Sequence, residues 1–346
     1  MKIAVLNSMA PFVWGGAEEL ASHLVANLRR LGHKATLYRI PFAWDPFSSI
    51  PREMARSKAV RLSGFDRVIS MKFPIYLCDA DRHSTWLVHQ YRQAYDLWDS
   101  PYCNIPHTKE GEAVRQLIIQ HDNDALRNRD SLFTISSEVS RRLKSFNGID
   151  APPLRAPIND PELFTGGADE GYILAPGRIN ASKRQSLLVE AMAHAGTKAR
   201  LIVAGPPETE EDARGLKRLV EQHRLGPRVK LDLRFLTRQE LADYVNNSRA
   251  VAYLPFEEDS YGYVTMEAFE AGKPVITTTD AGELLDLVRD QVTGLVCEPR
   301  PKRLAEAIAS YTGDKKLALE HGQAGQAVWR GTGINWPDNI QRLLGE

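Results

Sequence analysis

The chain has 346 residues, of which 43% are hydrophobic and 25% are charged, and its 44 basic and 44 acidic side chains give a formal net charge of zero. This composition excludes a disordered, collagen-like or coiled-coil protein, and the missing basic excess disfavours a nucleic-acid partner. The three cysteines show no CxxC spacing and no apolar run approaches the ~18 residues of a membrane span, so we expect a reduced, cytoplasmic protein, with peripheral contact at the inner face of the membrane as the alternative.

The first half of the chain alternates strands and helices. The apolar residues Ile3–Leu6 predict a buried strand, and leucines at helical spacing from Leu20 to Leu31 predict a helix that ends at Gly32. Further strands are predicted at 35–38, 67–71, 85–89 and 132–135, and a further helix at 137–146. This order is typical of a parallel α/β domain.

A second α/β pattern follows a connector rich in proline and glycine at 151–168, so we place the domain boundary between residues 160 and 161. Strands are predicted at 172–175, 200–204, 229–233, 250–254 and 274–277. Ser182 and Gln185 have the spacing of a capping box at a helix start, and 336–344 predicts a last helix. We therefore expect an α/β protein whose two domains face each other across a cleft.

Residues 256–269 contain the sharpest local signal for a binding site. Gly262 lets the backbone bend close to a ligand, and the amides of the helix that follows favour a bound phosphate or carboxylate. These amides belong to Tyr263, Val264 and Thr265. Asp259 and Glu267 bracket the turn, and carboxylates accept paired hydrogen bonds from sugar hydroxyls. The alternative is structural, with Asp259 as a loop acid and Glu267 as a first-turn acid favoured by the helix dipole.

Two cations flank the predicted strand-to-helix loop that begins at Gly177. Arg178 and Lys183 in this position would hold a diphosphate, Arg178 through two parallel hydrogen bonds and Lys183 as a point charge. The alternative is a solvated surface pair, or Lys183 as the first residue of an exposed helix.

Two weaker signals lie in the first half. Gly15 and Gly16 follow the first strand and let backbone amides approach an anion, although the GxGxxG spacing of a dinucleotide site is missing. His89 ends a predicted parallel strand, where ligands of open α/β sheets bind. The alternative is a histidine satisfied in the core or at its rim.

The order of these features resembles the retaining glycosyltransferases of family 4, which have two Rossmann-like domains in the GT-B architecture. The resemblance covers the whole chain and rests on Gly15–Glu18, His89, Gly177–Lys183 and Asp259–Val275. It implies transfer of a sugar from a UDP- or GDP-linked donor to an acceptor hydroxyl, with retained anomeric configuration and with neither a metal nor a cofactor. We expect an acceptor-binding domain at 1–160, onto which a helix at about 334–346 packs back, and a donor-binding domain at 161–333.

The resemblance also implies roles for single residues. Glu267 would bind the ribose hydroxyls of the nucleotide, and Arg178 and Lys183 would hold the diphosphate and stabilise its charge as it leaves. Asp259 would face the donor sugar, and His89 would contact that sugar near the reacting carbon. The remaining donor-side residues are Gly16, Gly177, Gly262, Tyr263 and Val264.

The chain departs from the family pattern at two places. The first acid of the pair is commonly Glu but is Asp259 here, which leaves the donor sugar open, and Ala281–Glu283 stands where relatives often have a glycine pair. The neighbouring acids Glu257 and Glu258 are candidates to compensate. The segment 89–98 resembles that of bacterial members that build surface polysaccharides, with a packed aromatic helix as the alternative. Its acceptor-side candidates are Tyr91, Arg92 and Tyr95.

Two acidic triplets, Asp79–Asp81 and Asp122–Asp124, have the DxD spacing that holds a metal in a different glycosyltransferase architecture. Neither follows a convincing strand, so we interpret both as surface acids and predict no metal site. The basic stretch 52–67 is interpreted as a solvated face, with contact to anionic lipid as the alternative if the acceptor is lipid-linked.

The leading hypothesis is a retaining glycosyltransferase of polysaccharide or glycoconjugate synthesis. Its partners would be the nucleotide-sugar donor and a sugar, lipid-linked or other hydroxyl acceptor, and the leaving diphosphate oxygen would take the acceptor proton in a front-face reaction without a protein nucleophile. The alternatives are a nucleotide-sugar epimerase of the same architecture and a nucleotide-sugar-binding protein without turnover. A dinucleotide dehydrogenase is disfavoured by the missing GxGxxG motif.

Overall fold

The computed structural model describes residues 1–9, 15–100 and 103–345, in which strands and helices alternate. The strands are β1 (Lys2–Met9), β2 (Lys34–Pro41), β3 (Arg61–Leu62), β4 (Arg67–Lys72), β5 (Asp79–Ala80), β6 (His83–His89), β7 (Ser131–Thr134), β8 (Ile173–Pro176), β9 (Leu201–Ala204), β10 (Val229–Asp232), β11 (Ala250–Ala252), β12 (Val275–Thr278) and β13 (Gly294–Cys297). The α-helices are α1 (Gly16–Arg30), α2 (Ile50–Ala59), α3 (Lys109–Arg127), α4 (Ser137–Asn147), α5 (Gln185–His194), α6 (Glu210–Gln222), α7 (Arg238–Asn247), α8 (Tyr263–Glu270), α9 (Pro301–Gly313), α10 (Lys315–Gly331) and α11 (Trp336–Leu344). None of the helices in these ranges combines the length and apolar character needed to cross a membrane.

The first compact unit comprises Met1–Pro157 and Ile334–Glu346. Its main sheet is parallel, with the strand order β2-β1-β4-β6-β7. Alternate residues of β1 are buried in two different apolar clusters, and the larger cluster includes leucines of α1. Because both faces of β1 are covered, its sequence is apolar without alternation.

The last helix, α11, packs against this first unit. The ring of Trp336 lies edge-on to the buried Trp86 of β6 at a centroid distance of 6.2 Å. The carbonyl oxygen of Leu343 accepts a 2.8 Å hydrogen bond from the Ser84 hydroxyl. The helix α11 is therefore part of the same hydrophobic core as β1, α1 and β6.

The second compact unit comprises Ile158–Gly333, so the division falls within the connector 151–168. Its six-stranded parallel sheet has the order β10-β9-β8-β11-β12-β13. The carboxyl ends of β8, β11 and β12 are therefore neighbours at the middle of one sheet edge. Ligands of open parallel sheets bind at this kind of edge.

The α/β architecture that the sequence predicts is confirmed, but the capping box at Ser182 is wrong. The side chain of Asn180 instead accepts a 3.0 Å hydrogen bond from the Lys183 amide at the start of a short 3-10 turn. Arg184 then adopts a left-handed backbone with φ of +54°, so α5 begins only at Gln185. The interruption separates the turn that carries Lys183 from the helix.

The interpretation of Asp122 as a surface acid is also wrong. Asp122 is fully buried on α3, where its two carboxylate oxygens accept hydrogen bonds of 2.8 Å from the Tyr76 hydroxyl and 2.7 Å from the Tyr95 hydroxyl. Burial raises the pKa of Asp122 to about 7, although the two tyrosine hydrogen bonds oppose this rise. The other acids of the two triplets are exposed, namely Asp79, Asp81 and Asp124.

Candidate functional site

The loop after β8 carries the two cations that the sequence assigns to a diphosphate. Gly177 follows the strand, and the side chain of Arg178 is 34% exposed, with its Nε 3.8 Å from Glu208 Oε2. Asn180 organises the loop, since it caps the Lys183 amide and donates a 2.7 Å hydrogen bond to the same Glu208 carboxylate. The loop thereby fixes the backbone at Lys183 and leaves Arg178 accessible.

Lys183 lies in a polar cluster with Tyr253 and Glu258. Its Nζ donates to the Tyr253 hydroxyl at 2.9 Å and to Glu258 Oε2, and the Tyr253 hydroxyl donates to that same oxygen at 3.0 Å. Burial by itself lowers the pKa of Lys183, but the Tyr253 hydroxyl and the Glu258 carboxylate outweigh burial and hold the pKa above its ordinary value. Lys183 is therefore a fixed cation. Because an ammonium group carries three N–H donors, one donor remains beyond these two contacts.

Arg184 ties the ends of two neighbouring strands together, and no motif in the sequence pointed to it. Its guanidinium donates 2.8 Å hydrogen bonds to the carbonyl oxygens of Leu254 and Pro255 and pairs with Asp280 at 2.8 Å. The loops after β11 and β12 are thus joined through one side chain. These partners lie about 70 to 96 positions away in the chain, so local spacing does not reveal them.

The segment after β12 supports Glu258 through the backbone. The Glu258 amide donates to the Ala281 carbonyl at 3.2 Å, and the Glu283 amide donates to the Glu258 carbonyl at 3.1 Å. Gly282 has φ of +78°, and an ideal Cβ there would lie 2.4 Å from the Glu258 carbonyl oxygen, so a side chain is excluded. Asp259, the acid that the motif spacing identified, is half-buried next to Glu258, and Glu258 is the acid that contacts Lys183.

Gly262 caps the N-terminus of α8 and lies against Tyr253. Its φ is +69°, and an ideal Cβ would lie 2.6 Å from Tyr253 Cε1, so this close approach also requires glycine. Tyr263 and Val264 are the first two residues of α8, so their amides belong to its electropositive N-terminal turn. Tyr253 therefore connects this helix start to Lys183.

Glu267 is the fifth residue of α8, so the alternative interpretation as a first-turn acid is wrong. The residue is only 2% exposed, and its Oε1 forms an ion pair with Nη1 of Arg238. Arg238 begins α7 and was not identified from the sequence. A buried carboxylate on a helix, paired with a guanidinium, is a preformed acceptor of hydrogen bonds.

In the first unit, the two glycines at the start of α1 lie beside an ion pair between Glu18 and Lys72. Gly15 is the N-cap of α1 and Gly16 its first residue. Glu18 accepts a 3.1 Å hydrogen bond from the Gly15 amide and a 2.6 Å hydrogen bond from Nζ of Lys72, the last residue of β4. No sequence motif indicates Lys72, because its partner Glu18 is 54 positions away in the chain.

His89 ends β6 and is paired in register with Lys72 on the neighbouring β4. Its Nδ1 lies 2.8 Å from the Gln90 carbonyl oxygen. Since a carbonyl oxygen only accepts, Nδ1 carries the proton in this contact. His89 thus lies at the carboxyl edge of the first sheet.

The three acceptor-side candidates are Tyr91, Arg92 and Tyr95. Both tyrosines are buried, and their hydroxyls donate to Asn104 at 3.0 Å and to Asp122 at 2.7 Å. Arg92 donates to Asp96 at 2.6 Å. This environment agrees with the packing alternative, although the segment forms a 3-10 turn at Arg92–Ala94 rather than an α-helix.

Charged groups near both sheet edges are arranged in ion pairs. They include Lys183–Glu258, Arg238–Glu267, Lys72–Glu18 and Arg184–Asp280. In the part of the chain that the structure describes, no three His, Cys, Asp or Glu side chains form a group that would hold a metal ion. With the half-buried Arg178, the second unit offers cations for anionic groups and carboxylates for hydroxyls.

Residues 165–328 match the sequence family described as glycosyl transferases group 1. This segment is a group 1 glycosyl transferase domain. It contains all the second-unit residues that the sequence predicted for the donor side, from Gly177 to Glu267. The resemblance to glycosyltransferases is thereby confirmed.

Curated relatives extend the similarity beyond the group 1 glycosyl transferase domain. Human alpha-1,3/1,6-mannosyltransferase ALG2 is 30% identical over 168 residues, which are 45% of this chain and 40% of that protein. The D-inositol 3-phosphate glycosyltransferase of Mycobacteroides abscessus is 28% identical over 279 residues, which are 72% of this chain and 61% of that protein. The chain spans about half the length of the curated relatives it matches.

The fold is shared with solved structures. The structure of Anabaena HepE in complex with UDP and glucose matches with a TM-score of 0.73 at 15% identity, and the match covers 99% of this chain and 98% of that chain. Similarity at this identity shows the fold alone. The GT-B fold that the resemblance implied is therefore confirmed.

Proposed function

We propose that this protein transfers a sugar from a nucleotide diphosphate-sugar to an acceptor hydroxyl and retains the anomeric configuration. The observation that carries the proposal is the fixed cation Lys183 in the same loop as the half-buried Arg178, at a sheet edge of the group 1 glycosyl transferase domain. Two cations in one strand-to-helix loop suit a diphosphate. HepE, whose structure contains UDP and glucose, supports a nucleotide-sugar donor.

The loop geometry supports the proposed diphosphate contacts. Lys183 would use its third N–H on a phosphate oxygen, and Arg178 would approach the same group from the exposed part of the loop. The amides of Tyr263 and Val264 would add hydrogen bonds at the N-terminus of α8, where Gly262 keeps the backbone open. These fixed donors stabilise the negative charge that develops as the diphosphate leaves.

Further contacts are proposed within each unit taken by itself. Glu267 would accept hydrogen bonds from the ribose hydroxyls, and Asp259 would face the donor sugar. In the first unit, we assign His89 and Gly16 to the sugar and acceptor side of the reaction.

The proposed reaction has no protein nucleophile. The bond between the anomeric carbon and the diphosphate oxygen breaks while the acceptor oxygen bonds to the same face of that carbon. The departing diphosphate oxygen takes the acceptor proton, so atoms and charges balance. We place this reaction in polysaccharide or glycoconjugate synthesis.

The donor site is tested first by thermal stabilisation with UDP, GDP, ADP, CMP and NAD. A ligand at 100 times its Kd adds about 2.7 kcal/mol of stability, which is readily measured. We expect selective stabilisation by one nucleoside diphosphate, and loss of this effect in Glu267→Ala. Stabilisation by NAD alone, or by no nucleotide, would contradict the transferase proposal.

Turnover is tested by release of nucleoside diphosphate from donor sugars and by NMR of the anomeric proton in the product. Arg178→Ala and Lys183→Ala should each lower kcat by about 10²-fold, because each removes a donor to the developing charge. Arg303→Ala and Lys316→Ala are matched controls, since both side chains are exposed on helices of the same unit. Full activity in both loop variants would refute the assigned diphosphate site, and an inverted product would refute retention.

A further inference from the structure

The guanidinium of Arg238 is held on several sides against the carboxylate of Glu267. Nη1 pairs with Glu267 Oε1, Nη2 donates a 2.6 Å hydrogen bond to the Asn159 carbonyl, and Nε lies 3.5 Å from Asp160 Oδ2. The guanidinium also lies over the ring of the buried Phe164, 4.6 Å from its centroid. These contacts fix the plane of the guanidinium and, through it, the position of Glu267 Oε1.

The backbone of Arg238 is placed just as firmly. Thr237 caps α7, with its hydroxyl accepting from the Glu240 amide at 3.2 Å and the Glu240 carboxylate accepting from the Thr237 amide at 2.8 Å. This reciprocal capping box sets the first turn of the helix, and Arg238 is the first residue of that turn.

Glu267 has one engaged and one available carboxylate oxygen. Among residues 1–9, 15–100 and 103–345, Arg238 is its one side-chain partner, and the contact is made to Oε1. Burying a carboxylate without a neighbouring cation would cost free energy. Because the guanidinium contacts one oxygen of the carboxylate, the second oxygen can accept a hydrogen bond from another donor. A hydroxyl group of a ligand is such a donor.

We propose that Arg238 is a positioning residue that orients Glu267 toward the ribose hydroxyls of the nucleotide and so sets the preference for ribonucleotides. This inference rests on the ribose contact in the proposed function. Arginine suits the role because its planar fork reaches the Glu267 carboxylate and the Asn159 carbonyl at once, whereas lysine offers a single point charge.

The test compares the binding of two ligands by calorimetry: UDP or GDP, whichever binds the wild-type protein, and the 2′,3′-dideoxy form of the same nucleotide. Wild type should bind the ribonucleotide about tenfold or more tightly than the dideoxy form, the value of a hydrogen bond to a charged group. Arg238→Ala should lose this discrimination by weakening ribonucleotide binding only. Arg238→Lys should lose it as well, because it keeps the charge but not the fork.

The control is Arg214→Ala, which removes an exposed arginine that also pairs with carboxylates in the second unit, and it should discriminate as wild type does. If both Arg238 variants fold and still discriminate, the inference is wrong while the proposed function stands. Equal weakening of both ligands would also overturn it, since this would show a structural role only. If wild-type protein binds both ligands equally or binds neither, the ribose contact of Glu267 in the proposed function fails, and the role of Arg238 fails with it.

Discussion

Tyr253 is the residue on which the polar cluster of the second unit depends. Its hydroxyl contacts both Lys183 and Glu258, and its ring occupies the space that a side chain at Gly262 would need. Burial and, to a smaller extent, the nearby Glu258 carboxylate raise the pKa of Tyr253 well above its ordinary value. The hydroxyl therefore stays protonated and continues to donate to Glu258.

Gly262→Ala should lower the free energy of unfolding by about 1–3 kcal/mol, because the new methyl group meets the Tyr253 ring in a left-handed backbone. Urea unfolding measures the change. Gly215→Ala on α6 is the matched control, since an added Cβ there meets no atom within 4 Å. In that helix the same substitution should stabilise the protein by up to about 1 kcal/mol. Equal changes in the free energy of unfolding for the two variants would contradict this prediction, since they would show that the Tyr253 ring moves to accommodate the methyl group.

At the scale of elements, α11 completes the core of the first unit from the far end of the chain. Trp336→Ala should destabilise that unit by about 3–5 kcal/mol, because it removes a large side chain packed on Trp86. Thermal unfolding followed by near-UV circular dichroism measures the loss. Phe235→Ala is the control, since that ring is 61% exposed, and its effect should stay within about 0.5 kcal/mol. Equal Tm values for the two variants would mean that α11 is dispensable for this core.

The sequence predicts best those elements whose residue pattern lies within one continuous segment of the chain. Apolar runs identify the buried strands, and the amphipathic segment 336–344 identifies α11 with the bounds that the structure has. The capping box failed because Asn180, two positions before Ser182, is an equally good cap, and spacing alone does not rank them.

The sequence identifies less of the candidate site, for a physical reason. Gly262 and Glu267 lie in one motif, so their proximity follows from the chain. Arg184, Arg238 and Lys72 act through partners that are 29 to 96 positions away, and only the folded sheet brings these together. The burial of Asp122 is not predictable from the sequence for the same reason, because its tyrosine partners come from two other segments.

At the scale of the whole molecule, each group whose pKa changes on folding makes stability depend on pH, and two buried groups show this in opposite directions. Burial, aided by Arg129, lowers the pKa of His83 to about 3. The contribution of His83 to the free energy of unfolding is therefore present above its unfolded pKa and is lost as pH falls below about 6.5. The pKa of Asp122 is raised instead. Its contribution to the free energy of unfolding is therefore present below its unfolded pKa and is lost as pH rises through about 7. The two groups belong to the first unit and oppose each other.

Replacing Asp122 separates these two opposing effects. Asp122→Asn keeps a polar side chain between Tyr76 and Tyr95 but does not ionise, whereas the wild-type carboxylate must carry a buried charge once pH exceeds its pKa. The stability of the variant relative to wild type should therefore rise by about 4 kcal/mol between about pH 4 and pH 8, from the shift of roughly three pKa units. Urea unfolding at intervals across this range measures the difference, in which the contribution of His83 cancels because both proteins contain it. Asp124→Asn, an exposed position on the same helix, should follow the wild-type curve. If Asp122→Asn also runs parallel to wild type, the buried carboxyl titrates at an ordinary pKa, and burial at α3 does not govern the pH dependence of this fold.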